Sequence, residues 1–248
     1  MLVLTWFDVP RGVMMNQPPI FLGGQGGLVG PLMLEYGTVV AAGTIVRKDI
    51  LRQNTMLLGH PSPSKSIPFH QGLYLNLRRV VRLNTIYIAN LLALRRWYLD
   101  VRSRFLSNDD MEKALHGGAV EKLDSAINER LKRLGDVADR MQCALETPGD
   151  AAEGPSDRTT SGKKEFFERW PEMEQAFRDF LTEEGDIPKR DRFLVILEKA
   201  LVRDGKDYIR AIKGLTGEES EAGVSWLQGF IDDICLSVWS KIPGMNIS

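Results

Sequence analysis

Between Ile20 and Ile50 the aliphatic residues Leu28, Leu34, Val40 and Val46 recur at every sixth position. Gly37 and Gly43 keep the same spacing, and so do Thr38 and Thr44. A six-residue period with one aliphatic and one small residue per unit is the signature of a parallel β-helix. Each unit supplies a short strand and a tight corner. The aliphatic side chain fills the narrow interior, and Gly permits the corner dihedrals. Residues 20–46 carry Glu35 as their only charge, which invites a membrane-helix reading. Gly23, Gly24, Gly26, Gly27, Gly30 and Pro31 exclude it, at about 1 kcal/mol per Gly and about 3 per Pro inside a helix.

The period changes downstream. Residues 60–72 contain Pro61, Pro63 and Pro68 and read as an extended connector, which at about 3.1 Å per residue is long enough to let the next helix reach the last coil. From residue 73 to 106 apolar residues recur at three-to-four spacing without Gly or Pro, which predicts one long amphipathic helix. Its apolar stripe needs burial and the end of the coils needs a cap, so the two are expected to pack together. Ser107-Asn-Asp-Asp110 predicts a cap for a short helix ending at Gly117-Gly118, followed by a helix from Ala119 to Glu146. Residues 147–162 read as a flexible linker and domain boundary. Helices are expected at 163–184, 189–203, 206–214 and 217–241, the last opened by a Thr216/Glu219 capping box and stopped by Ile242-Pro-Gly244. The expected fold class is therefore α+β. A short β-helical segment (1–59) and its connector (60–72) precede a long-helix region (73–146), the linker (147–162) and a C-terminal helical domain (163–248).

The net charge of −1 conceals a local imbalance. Residues 73–106 carry seven Arg against the single Asp100, and the flanking segments compensate. A near-zero total argues against a chain that coats nucleic acid or anionic membrane. The aromatics Tyr87, Trp97 and Tyr98 stand at core spacing and not as a base-stacking platform, so no nucleic-acid partner is expected. Two cysteines, Cys143 and Cys235, give neither a disulfide framework nor a metal pair, and the three histidines lack zinc-ligand spacing. The expected compartment is the reducing cytoplasm, with no metal and no membrane partner.

The stretch from Ile20 to Ile50, with Ala41-Ala42-Gly43 followed by Arg47-Lys48-Asp49, resembles the last coils of a left-handed β-helix acyltransferase of the hexapeptide-repeat family. It is most similar to the acetyltransferase half of the bifunctional UDP-N-acetylglucosamine pyrophosphorylases, and to bacterial pyrophosphorylase-like proteins in which a similar β-helix precedes a helical region. The likeness covers about residues 8–50. It implies a transferase of the nucleotide-sugar class, a trimer, and acetyl-CoA lying along the seam between neighbouring β-helices. Ala42 falls where a backbone N–H meets acetyl-CoA. Gly24 falls where the bifunctional enzymes carry a serine, so that hydroxyl is missing here. The family's catalytic histidine and most sugar-phosphate contacts lie in coils upstream. The chain is accordingly expected to be the C-terminal segment of such a protein, with Met1 an internal start, and not to catalyse acetyl transfer by itself. The other reading is non-catalytic: an oligomerisation and interaction module with docking helices.

Several residues carry competing readings. Gly23–Gly30 is either a phosphate-cradling loop or a corner of the repeat; no helix follows directly, which favours the corner. Arg78, Arg79 and Arg82 form the basic start of the long helix. They are candidates for a phosphate, because guanidinium forks match phosphate oxygens, against a plain face paired with acidic helices. Asn84 and Asn90 interrupt the apolar stripe; since a buried Asn must be hydrogen-bonded, they read as structural register devices or as site residues, with the structural reading favoured. His60 and His70 are weak candidates for a general base. Cys143 and Cys235 read as packing residues.

Overall fold

The computed structural model describes residues 8–30, 32–59, 76–146 and 157–247. The chain is mostly helical, with a few short strands in small parallel sheets. Five two-residue strands, β1 (Phe21–Leu22), β2 (Gly27–Leu28), β3 (Val39–Val40), β4 (Ile45–Val46) and β5 (Met56–Leu57), follow a single turn of helix, α1 (Val9–Gly12). Strands β1, β3 and β5 stack in parallel, with Phe21 beside Val39 and Val39 beside Met56. Strands β2 and β4 make a second parallel stack, with Leu28 beside Val46. Leu34 and Ile50 form a third parallel bridge. Each partner thus lies about three hexapeptides further along the chain.

The corners repeat with the strands. Thr44 N donates to Ala41 O at 3.2 Å while Gly43 sits at φ +73°, a four-residue turn with Ala42 in its second position. Thr38 N donates to Glu35 O in the same way around Gly37 at φ +75°. Gln25 and Asn54 take the left-handed conformation at the corresponding corners of the neighbouring stacks. Inside, Leu32, Leu34, Val40 and Val46 are buried together, with Leu28, Ile50 and Leu57 packed on them. The six-residue aliphatic period therefore maps onto one interior, because side chains that recur once per corner return to the same side of the chain.

The helical body comprises α2 (Leu77–Asp100), α3 (Asp110–Glu146), α4 (Asp157–Asp179), α5 (Ile187–Asp204), α6 (Tyr208–Lys213) and α7 (Gly217–Trp239), with short 3₁₀ turns at Arg102–Phe105 and Pro243–Met245. Side chains cap four of these starts: Asn76, Asp186 and Asp207 each accept from a backbone N–H three residues on, and Thr216 with Glu219 closes the expected capping box. A single hydrophobic cluster joins α1 to α2, α3, α4, α5 and α7. The two helical stretches on either side of residue 147 therefore share one core. Gly223 is the point of closest approach within it: a Cβ there would stand 2.7 Å from the Phe193 ring and 2.4 Å from Met14 Cε.

Three expectations are corrected. Within the helix predicted over 73–106, α2 ends at Asp100 and gives way to the 3₁₀ turn; residues 60–75, including the Pro-rich connector, lie outside the described residues. The break at Gly117-Gly118 does not occur, and α3 runs unbroken from Asp110 to Glu146. Neither glycine adopts positive φ, and packing of α3 against α2 and α4 outweighs their low propensity. The linker is shorter than 147–162, since Asp157 already opens α4. The remaining helices fall within a few residues of the expected 189–203, 206–214 and 217–241, while α4 covers 157–179 in place of 163–184. A Cβ at Gly117 or Gly118 meets no atom within 4 Å. Gly117→Ala and Gly118→Ala are thus each expected to raise stability by about 0.5–1 kcal/mol in urea unfolding, whereas glycines that end a helix would lose stability on the same change.

Candidate functional site

The residues singled out in the sequence fall in two places. The first is a corner of the coils. Gly43 N donates to Gly24 O at 2.9 Å, so the loop carrying Gly24 lies directly on the turn carrying Ala42. Gly23 makes this contact feasible: a Cβ there would stand 2.4 Å from Ala42 N, which no side chain tolerates. Gly24, Ala42 and Gly43 are all exposed. Within Gly23–Gly30 the residues up to Gly26 form a corner, and strand β2 follows it directly. The structure brings Gly24 and Ala42 together at this corner.

The second place is the start of α2, where the three arginines have three fates. Arg78 is exposed. Arg79 donates to both Asp49 oxygens, at 2.6 and 2.5 Å, and so ties α2 to the coils. Asp49 also accepts from Met33 N at 2.8 Å. Burial pushes the Asp49 carboxyl up, but the Arg79 fork and the Met33 N–H outweigh it and hold the group below its ordinary value. A second tie joins α1 to the same coils. Arg11 donates to Glu35 at 2.8 Å, and Tyr36 donates its hydroxyl to Asp8 O at 2.8 Å. The Arg11 hydrogen bond holds Glu35 below its ordinary value against the opposing effect of burial. The contact of α2 with the strands is this polar tie at its first turn; the apolar stripe expected to cap the coils is instead buried among the helices, against α3 and α7, because they offer it the larger apolar surface.

Arg82, one turn on, faces a cavity of about 440 Å³ between α1, α2 and α7. Asp8, Asn90, Asp232 and Cys235 contribute to its wall, and Ile86, Ile231, Leu236 and Trp239 supply apolar surface. Asn90 is occupied: it accepts from Val9 N at 2.9 Å and donates to Ile86 O at 2.9 Å, which anchors α1 on α2 as a structural residue. Cys235 is buried, and burial with the nearby Asp232 pushes its thiol up to about 12, so it is a packing residue and no nucleophile at neutral pH. Arg82 Nε and Trp239 Nε1 are inaccessible to solvent and have no hydrogen-bond partner. Nothing in the sequence singles out Trp239, because its surroundings depend on the approach of α2 to α7.

The other arginines of the basic segment serve the fold. Arg95 binds Asp124 at 2.6 Å and Leu181 O at 3.1 Å, and Arg96 binds Glu183 O at 2.6 Å. Arg102 lies 3.9 Å from the Tyr208 ring centre, and Arg104 binds Glu198 at 3.1 Å. Arg95, Arg102 and Arg104 thus meet α3, α6 and α5, and Arg96 meets backbone beyond the end of α4. Asn84 donates to Val80 O at 2.7 Å within its own helix. His60 and His70 lie outside the described residues. Among the described residues no helix is long and apolar enough to cross a membrane, and no group of three or more His, Cys, Asp or Glu residues is placed to hold a metal ion. Comparison with known proteins finds no match: no protein family fits this sequence, and no curated protein or solved structure is similar to it.

Proposed function

We propose that the chain is the C-terminal segment of a hexapeptide-repeat transferase of the nucleotide-sugar class: the last coils of a left-handed β-helix, with a helical body docked on them. The observation that carries this reading is the coincidence of Gly24 with Ala42 at one exposed corner, within parallel stacks that repeat every three hexapeptides. In this reading the Ala42 N–H meets acetyl-CoA at the seam of a trimer in a reducing cytoplasm. The segment binds the acyl donor without turning it over, because it lacks a serine hydroxyl at Gly24 and the family's catalytic histidine belongs to other coils.

The turn geometry supplies a clean test. Ala42 occupies the second position of a turn whose third residue, Gly43, has φ +73°, a position that proline fits. Ala42→Pro removes the N–H and keeps the turn. Calorimetric titration with acetyl-CoA is expected to show binding to the wild type and at least a tenfold loss in Ala42→Pro, the size of one lost hydrogen bond of about 1.4 kcal/mol. No free CoA is expected above background with glucosamine-1-phosphate present. Absence of binding by the wild type would sink the acyl-donor reading, and CoA release would show that the segment is itself an enzyme. The non-catalytic alternative, an assembly module, is favoured by one observation: Phe21 and Met56 stand in register on one sheet with 61% and 63% of their surface exposed, an apolar outer face suited to another protein surface.

A further inference from the structure

The stacks of the coils stop unevenly. One sheet has three layers, β1, β3 and β5, whereas the other has only β2 and β4. Among the described residues no strand lies on the outer side of β4, so Ile45–Val46 presents an open ladder edge. The chain runs from this edge straight into Arg47 and Lys48, with Arg52 four residues beyond Lys48. Further cations come from α2. The Arg79–Asp49 tie, at 2.5 Å, holds the first turn of α2 against the segment that follows β4, and Arg78 precedes Arg79. Residues 45–53 and 76–82 together carry six cations and one carboxylate, Asp49, which Arg79 already grips. Arg47, Lys48, Arg52 and Arg78 are exposed, and none of them forms an ion pair with a described residue. The adjoining sequence, residues 60–75, contains no Asp or Glu that could match them. We propose that this edge takes an extended acidic segment of another protein, which adds to β4 as a strand while its carboxylates meet Arg47, Lys48, Arg52 and Arg78.

Three features select that partner. A strand edge offers backbone N–H and C=O groups in a fixed order, and an extended backbone is what matches them. The cations then decide which backbone is admitted. A second copy presenting the same edge would set its own Arg47 and Lys48 close to these, and like charges facing across strands are destabilising. An acidic strand turns the same contacts into attraction, so the cluster excludes one partner and selects the other. Finally, Ile45 and Leu51, on either side of Arg47 and Lys48 in the chain, are 55% and 67% exposed. Peptide side chains can cover that apolar surface, whereas a sugar-phosphate backbone cannot use it. Neither cationic stretch contains an aromatic side chain on which a base could stack.

The test is fluorescence anisotropy of a labelled eight-residue peptide alternating Glu and Val, titrated with the full chain. Saturable binding is expected for the wild type. Affinity should fall about tenfold in Arg47→Ser/Lys48→Ser and about threefold in Arg78→Ser, the size of two and of one exposed ion pair. Lys199→Ser, which removes an exposed cation of α5, should bind like the wild type. None of these changes should lower the melting temperature, because none removes a bond of the fold. Two further peptides, N-methylated at alternate residues in either register, keep every carboxylate. One of the two loses the ladder donors on its bonded side and should bind about tenfold more weakly. The proposal is overturned if the wild type shows no saturable binding up to about 1 mM peptide. It is equally overturned if Arg47→Ser/Lys48→Ser binds as tightly as the wild type, if Lys199→Ser loses as much as that variant, or if both N-methylated peptides bind as well as their parent. Tighter binding of labelled oligothymidylate or of phosphatidylserine vesicles than of the peptide would overturn it too, by assigning the surface to a nucleic acid or a membrane.

Discussion

Replacing Trp226 by Ala is expected to cost about 3–5 kcal/mol, the range for emptying a large aromatic site in a core. Trp226 is fully buried in α7, its ring 6.0 Å from that of Phe193 in α5, which in turn lies 5.7 Å from that of Trp97 in α2. These three rings link the helices on either side of residue 147, so the void would open where both halves of the body meet. With total stabilities of about 5–15 kcal/mol, the loss is a large share of the whole. For a chain of this size it should appear as a melting temperature lower by about 10–15 °C. Trp226→Phe should cost much less. The Trp226 indole N–H is buried without a partner, and removing it offsets part of the lost volume. Chemical denaturation of the three proteins checks this. A Trp226→Ala loss below about 1 kcal/mol would mean that the helical segments do not share a core.

The second large effect is expected at the junction between coils and helices. Asp49→Ala removes the carboxylate that both the Arg79 fork and the Met33 N–H donate to. Arg79 retains about a third of its side-chain exposure, so solvent screens part of the loss, and about 2 kcal/mol is expected in place of the 3–5 typical of a fully buried pair. The pH dependence follows from the same geometry. The folded-state values of Asp49 and Glu35 lie below their ordinary 3.8 and 4.5. Their contribution is therefore complete above about pH 5 and is lost as pH falls through the ordinary range towards the folded values, since the unfolded chain takes up protons first. Denaturation midpoints measured between pH 7 and pH 3 should fall below about pH 4.5, and less steeply in Asp49→Asn than in the wild type. Equal acid slopes in the two proteins would show that the Arg79–Asp49 pair does not hold the coils to the helices.

What the sequence determined by itself is what depends on short-range regularity. The six-residue period of Leu28, Leu34, Val40 and Val46 specifies parallel stacks around one interior, because each corner needs the same residue types at the same spacing. The Thr216/Glu219 capping box, the Asp186-Ile187-Pro188 start of α5 and the three-to-four periodicity of α2 are local in the same sense. Gly117-Gly118 shows the limit of that reasoning. A glycine pair lowers helix propensity by about 2 kcal/mol, but the decision belonged to helices α2 and α4, which bury Ile127, Leu131 and Leu134 of the same helix. The arginines show it more sharply. Arg78, Arg79 and Arg82 are alike in sequence, yet one is exposed, one grips Asp49 and one lines the pocket between α1, α2 and α7. Side-chain type fixes what a residue offers. Only the crossing of α2 against the coils and α7 decides what it meets, because that geometry is set by contacts between residues up to some 150 positions apart in the chain.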